Sequence, residues 1–317
     1  MIQLQRLMIL SKMNMSELQH LQEHIKPIVF LPQKDRITYL YSDKWIGYDR
    51  ARSIMALLDD ILSQPKRIRP QSLLIVGEPN IGKTTIVRKF VERHPQTNIH
   101  NQLNEIIEAR KHHLLIDAPI GADEKKLYIA ILEKFLVAFK RTAPAIELRY
   151  QVNHLIRKFH IKMLIIDEIH NFLTGTALKQ REVMNVLKNL SNELYLSIVG
   201  VGTKEAVQIL YSDPQHASRF DITELTSWGL DNSFRKLLAS YEKLLPLKKP
   251  SNLAERELTT AIFEISSGNL GDVIRLLIDC SKEAINSEKE YIDIGIINQF
   301  RKQKNTNSYR SIRTIML

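Results

Sequence analysis

The chain of 317 residues carries 45 Lys and Arg against 35 Asp and Glu, a formal net charge of +10, with a pI near 9.5. That length allows roughly two domains of ~100 to 200 residues, and the ordinary apolar and charged fractions exclude a disordered or fibrous chain. No apolar run approaches the ~18 uninterrupted residues of a membrane helix. The lone Cys280 excludes an intramolecular disulfide or a cysteine-built zinc site and reads as a core residue, while the positive charge favours polyanions without choosing among DNA, RNA and lipid headgroups.

The opening MIQLQRLMIL has a short apolar part broken by Gln and Arg and lacks a small-residue cleavage site, so a cytoplasmic start is expected rather than a signal peptide. Residues 1–44 mix polar and apolar positions with Pro27 and Pro32 and read as an N-terminal extension. Ile54, Leu57, Leu58, Ile61 and Leu62 then recur at helical spacing until Pro65, so a helix leads into the first strand. Five short apolar runs follow: SLLIV (72–76), HLLIDAP (113–119), MLIIDE (163–168), LSIVGVGT (196–203) and DITEL (221–225). They alternate with amphipathic helical patterns. That rhythm predicts crossover connections and an α/β domain over 45–229, built on a five-stranded parallel sheet between helices. Beyond TSWGL the strand signals stop, and NSFRKLLASYEKLL, ERELTTAIFEISSG, LGDVIRLLIDCSKEAINS and DIGIINQF predict a small all-helical domain over 230–300. The basic run 301–317 reads as a mobile tail.

GEPNIGKTT, residues 77–85, satisfies G-x-x-x-x-G-K-[ST] between a predicted strand and a predicted helix. Gly77 and Gly82 let backbone N–H groups turn toward phosphate oxygens. Lys83 supplies positive charge for the outer phosphates, the Thr84 hydroxyl suits a magnesium ion, and the helix beginning there points its positive end at the same anion. In MLIIDE, Asp167 closes a buried strand where it would hold magnesium, and Glu168 would polarise the attacking water. Thr203, at the end of LSIVGVGT, is placed to touch the γ-phosphate or that water. Arg219, just before the last strand, stands where an arginine finger can reach a neighbouring subunit's nucleotide. Arg275, in the third lid helix, could fold back over the phosphates. His170, His112 and His113 read as packing or solvent-facing residues, because no second ligand sits at a metal-binding spacing.

The order of these parts resembles that of AAA+ ATPases, and in detail the chain is similar to the TniB and TnsC group of transposition ATPases, relatives of MuB. WIGYDRA (45–51), LLIVGEPNIGKTTIV (73–87), LIIDEIHNFLTG (164–175), LKNLSNEL (187–194), IVGVGTKEA (198–206), DPQHASRF (213–220) and LPLKKPSNL (245–253) carry the resemblance. It implies an AAA+ P-loop domain with a helical lid, binding ATP through Gly77, Glu78, Pro79, Asn80, Ile81, Gly82, Lys83, Thr84 and Thr85. Ile46 and Tyr48 would flank the adenine. Thr84 and Asp167 would hold Mg2+; Glu168, Thr203, Arg219 and Arg275 would serve hydrolysis as base, sensor, finger and lid arginine. Pro79 departs from the small polar residue of many relatives and removes one backbone donor.

The same resemblance implies an ATP-dependent regulator of DNA transposition. It would form homo-oligomers on double-stranded DNA largely without regard to sequence, meet a transposase and a TniQ-like target-selection protein, and be reset by hydrolysis. Lys125, Lys126, Lys140 and Arg141 are the candidate DNA contacts, with a solvated, charge-balanced helix start as the alternative for the DEKK segment. Two other functions share the phosphate site. A replication initiator or helicase loader is expected to append a winged or helix-turn-helix module after the lid, and a signalling NTPase switch a long repeat-bearing sensor.

Overall fold

The computed structural model describes residues 18–100, 106–211 and 218–301. The basic run from 302 and the first part of the N-terminal extension therefore lie outside the described residues. The chain forms two compact units, one spanning Asp49–Thr226, the other joining the residues before 49 to those after 226.

In the first unit, α2 (Asp49–Ser63) leads into β1 (Ser72–Gly77) and α3 (Lys83–Arg93), α1 being a short N-terminal helix described below. A two-stranded antiparallel hairpin, β2 (Thr97–His100) with β3 (Ile106–Arg110), precedes β4 (His113–Asp117). Then come α4 (Glu124–Lys134), α5 (Ala145–Lys158), β5 (Met163–Asp167), a 3-10 turn at Ile169–Leu173, and α6 (Ala177–Leu194). The unit closes with β6 (Ser197–Gly202), a 3-10 turn at Lys204–Ala206, α7 (Val207–Tyr211) and β7 (Phe220–Leu225). Five strands lie side by side in the order β4-β5-β6-β1-β7, every neighbouring pair parallel. The five apolar runs of the sequence are these five strands.

Burial explains their composition. Every residue of β1, β5 and β6 is buried, as a sheet covered on both faces requires, and so these strands read as unbroken apolar runs. The edge strand β7 is mostly exposed or half-buried and leaves Ile222 47% exposed. Helix α6 packs Val183, Met184, Leu187, Leu190 and Leu194 onto the sheet at three- and four-residue spacing. It starts where the Thr176 hydroxyl accepts the Lys179 N–H. The hairpin was not read from the sequence. Its strands hold four and five residues and lack an apolar alternation long enough to register.

The second unit contains a 3-10 turn at Lys26–Phe30, α1 (Gln33–Leu40), α8 (Asn232–Glu242), α9 (Arg256–Ser266), α10 (Leu270–Asn286) and a helical run over 294–301. Cys280 is fully buried within α10, and burial raises its thiol pKa far above the ordinary range. Here the structure corrects the expected domain limits. The described part of 1–44 is no separate extension: Leu18, Leu21, Ile25 and Val29 share a buried cluster with Leu244. Buried Arg36 of α1 donates from Nη1 to Glu290 Oε1 at 2.8 Å and from Nη2 to the Pro246 carbonyl at 2.6 Å. Residues 45–48 fall on the same side, with Ile46 against that cluster and the Tyr48 ring edge-on to Trp228 at 5.1 Å.

Candidate nucleotide site

Parallel strands place their carboxyl ends along one edge, and ligands of open α/β sheets bind outside that edge. Gly77, Asp167 and Thr203 stand there together, ending or just following the adjacent strands β1, β5 and β6. Between β1 and α3 the chain must turn sharply: Asn80 has φ 60° and Gly82 φ 98°, a left-handed conformation that glycine adopts without strain. Gly77 is required for a different reason. A Cβ there would lie 2.3 Å from the Leu225 carbonyl oxygen of β7. Ile81 is 1% exposed and its side chain packs toward Gly77, so only its backbone can face an anion; Glu78, Pro79 and Asn80 are exposed.

Lys83 opens α3, and its Nζ donates to the carbonyls of Gly77 and Glu78, both at 2.8 Å. Burial lowers its pKa, opposed by the charges of Glu168, Asp167 and Glu78. A buried ammonium is thus held inside the loop, at a helix N-terminus whose N–H groups attract anions. Thr84 and Thr85 follow in the first helical turn.

Asp167 is 4% exposed, and its Oδ1 accepts the Glu168 N–H at 2.9 Å. Glu168 itself sits at φ 54° and ψ 36°, a left-handed backbone that costs a non-glycine residue about 1–2 kcal/mol. Strain of this kind persists where surrounding contacts over-determine it, and it clusters at functional sites. The contacts are visible. Asn171 N–H donates to the Glu168 carbonyl at 2.9 Å, and Asn171 Nδ2 donates to the Ala118 carbonyl at 3.1 Å. A buried carboxylate and a nearby hydroxyl are hard oxygen donors of the kind magnesium takes. With Lys83 between them and the glycine turn, the donor set suits a metal-bound triphosphate.

Two residues of this edge escaped the sequence reading. Lys204 Nζ lies 3.5 Å from Glu78 Oε1 and 2.8 Å from Glu224 Oε1, tying the turn after Thr203 to the phosphate loop and to β7. His170, read as a packing or solvent-facing residue, has Nδ1 3.2 Å from Glu168 Oε2. The segments DEIH and GTKEA were visible; no spacing rule announced that they meet.

Of the remaining predicted positions, Arg219 lies away from this edge. Arg219 precedes β7, whose register sets Phe220 opposite Ser72 and Leu225 opposite Gly77. It therefore stands at the amino edge of the sheet, roughly 17 Å from the phosphate loop at ~3.3 Å per strand residue, where Nη1 donates to Asn192 Oδ1 at 2.8 Å. Lys125 and Lys126 occupy the first turn of α4, and Lys126 Nζ donates to the Ile120 carbonyl at 3.3 Å. Lys140 and Arg141 follow the end of α4: the helix stops at Lys134, and Leu136 turns left-handed at φ 55°. Val137 and Phe139 then pack back onto the core. The two basic pairs sit at opposite ends of an 11-residue helix, about 16 Å long. In the other unit, Arg275 is exposed on α10, and Ile46 and Tyr48 have the packing given above.

These features, a five-stranded parallel sheet ordered β4-β5-β6-β1-β7, a glycine loop on its central part and a helical second unit, define an AAA+ P-loop fold. The family model of the bacterial TniB protein matches residues 36–230, and the chain belongs to that family. No curated protein matches it. Among solved structures the fold is shared with the ORC2 protein of Aeropyrum pernix, solved with ADPNP and ADP, at TM-score 0.55 and 14% identity over 84% of this chain and 71% of that one. The ORC1 protein of the same organism, solved in complex with DNA, gives TM-score 0.56 and 15% identity over 84% and 69%. Cdc6p of Pyrobaculum aerophilum gives 0.55 and 15% over 80% and 67%. Among the described residues no helix is long and apolar enough to cross a membrane.

Proposed function

We propose that the chain is a magnesium-dependent ATPase that regulates DNA transposition. In this reading it assembles as a homo-oligomer on duplex DNA when ATP is bound, marks the target for a transposase and a TniQ-like selection protein, and is released by hydrolysis. Membership of the TniB family and the gathering of Lys83, Asp167, Glu168 and Thr203 along one sheet edge support the ATPase part. Bound magnesium would neutralise charge on the phosphates. Asp167 and the Thr84 hydroxyl would hold it, Lys83 would balance the outer phosphates, Glu168 would take the proton of the attacking water, and Thr203 would orient that water or the γ-phosphate.

The observation that carries the assembly is the position of Arg219, a full strand length from its own phosphate loop. An arginine so placed completes a neighbour's site and not its own. Arg275 serves as lid arginine, and Ile46 with Tyr48 flanks the base. Lys125, Lys126, Lys140 and Arg141 contact DNA phosphates, which makes binding salt-dependent and tolerant of sequence. ATP turnover measured with and without duplex DNA tests this: stimulation by DNA that rises with protein concentration is expected, and turnover indifferent to both would reject it. A helicase loader, the second reading that shares the phosphate site, predicts instead that a replicative helicase, and no transposase, is retained on the ATP-bound chain.

A further inference from the structure

The imidazole of His170 is the least explained group at the sheet edge. Its Nδ1 is buried and has no hydrogen-bond partner in a bonding direction, although Glu168 Oε2 stands only 3.2 Å away. A modest rotation of the glutamate converts that approach into a hydrogen bond. The other wall of the ring is β6. A Cβ at Gly202 would lie 3.3 Å from His170 Nδ1 and 3.2 Å from both Ile169 Cγ2 and Ala206 Cβ, and one at Gly200 would lie 2.7 Å from Ile169 Cδ1. Glycine weakens a strand interior, and its use there marks a close approach by another group; here the group is the Ile169–His170 turn. Just past Gly202, the carboxyl of Glu205 is held below its ordinary range first by the Thr203 hydroxyl, then by its own N–H, and in part by His170. The ring thus lies between the strand end that carries Thr203 and the carboxylate of Glu168.

We propose that His170 is a positioning residue for Glu168: braced on the backbone of β6 at Gly202, its Nδ1–H holds the carboxylate in the orientation that receives the water proton, so that movement of the Thr203 strand end and the aim of the base are mechanically joined. The inference rests on the ATPase reading. It adds no charge to the nucleotide and predicts no loss of nucleotide binding. It requires a donor at the Nδ1 position, which the Asn side chain reproduces and Phe does not.

Steady-state ATP turnover and transition-state-analogue binding of the full chain on duplex DNA, for wild type, His170→Phe, His170→Asn and Glu168→Gln, test it. His170→Phe is expected to lower kcat by on the order of 10-fold or more, as loss of an orienting partner does, with KM changed by less than about twofold. His170→Asn should recover most of that loss. Binding of ADP with aluminium fluoride should weaken in His170→Phe, while binding of ADP with beryllium fluoride, a ground-state mimic, stays as in wild type. Adding His170→Phe to Glu168→Gln should cost nothing further. Unchanged kcat in His170→Phe, or equal losses in the Phe and Asn variants, overturns the positioning role while leaving the ATPase reading intact. Absence of turnover in the wild type, or full turnover in Glu168→Gln, overturns that reading and the inference with it.

Discussion

At the scale of single residues, the site asks each side chain for one physical property, and substitutions should separate them. Lys83→Ala removes charge-assisted contacts worth about 1.5–3 kcal/mol each; titration with a fluorescent ATP analogue should show affinity falling roughly 10- to 100-fold. Glu168→Gln keeps the shape and, on the proposed reading, removes the base, so binding should persist while turnover drops by ~100-fold or more. His113 provides a pH signature. It is 2% exposed, its Nε2 is 2.7 Å from the His94 carbonyl oxygen, and burial, the largest cause, lowers its pKa from 6.5. Folded His113 therefore stays neutral where the unfolded chain takes up a proton. The stability it contributes is complete above pH 6.5 and is lost as pH falls through the lower folded value. Thermal unfolding of His113→Gln should show a weaker dependence over that window than wild type.

Elements were readable where burial forces a pattern. The central strands β1, β5 and β6 could be placed from LLIV-type runs, because a strand covered on both faces can carry little else, and the phosphate loop from glycines that its backbone geometry demands. Helix α1 was not readable. Its mean hydropathy is low, and the two residues it buries are Arg36 and Leu40; a buried arginine looks like a surface one until its partner Glu290, 254 positions away, is seen. Lys204 was hidden for a related reason, since its partner Glu78 becomes its neighbour only through the order of the sheet, and the approach of His170 to Gly202 of β6 arises in the same way. Removing one partner of the buried pair by Glu290→Ala should cost about 3–5 kcal/mol, whereas replacing both by Met and Leu should cost less. Both tryptophans, Trp45 and Trp228, belong to the helical unit, so urea unfolding followed by their fluorescence reports that change directly.

For the whole molecule, the sheet places the residues proposed to serve hydrolysis on opposite edges: the loop, Asp167, Glu168 and Thr203 on the carboxyl edge, Arg219 on the amino edge. On the proposed reading, a site divided in this way would be completed by a neighbour, and turnover would be coupled to assembly. Arg219→Ala should leave nucleotide affinity of the isolated chain unchanged and lower turnover of DNA-bound assemblies by ~10-fold or more; equal turnover in mutant and wild-type assemblies would reject the trans role. The net charge of +10 favours a polyanionic scaffold for such assemblies. The most direct measurement is sedimentation velocity of the purified chain with duplex DNA, comparing a non-hydrolysable ATP analogue with ADP. Large complexes on DNA with the analogue and far smaller ones with ADP are predicted; a chain that sediments as a monomer on DNA under both conditions would contradict the proposal.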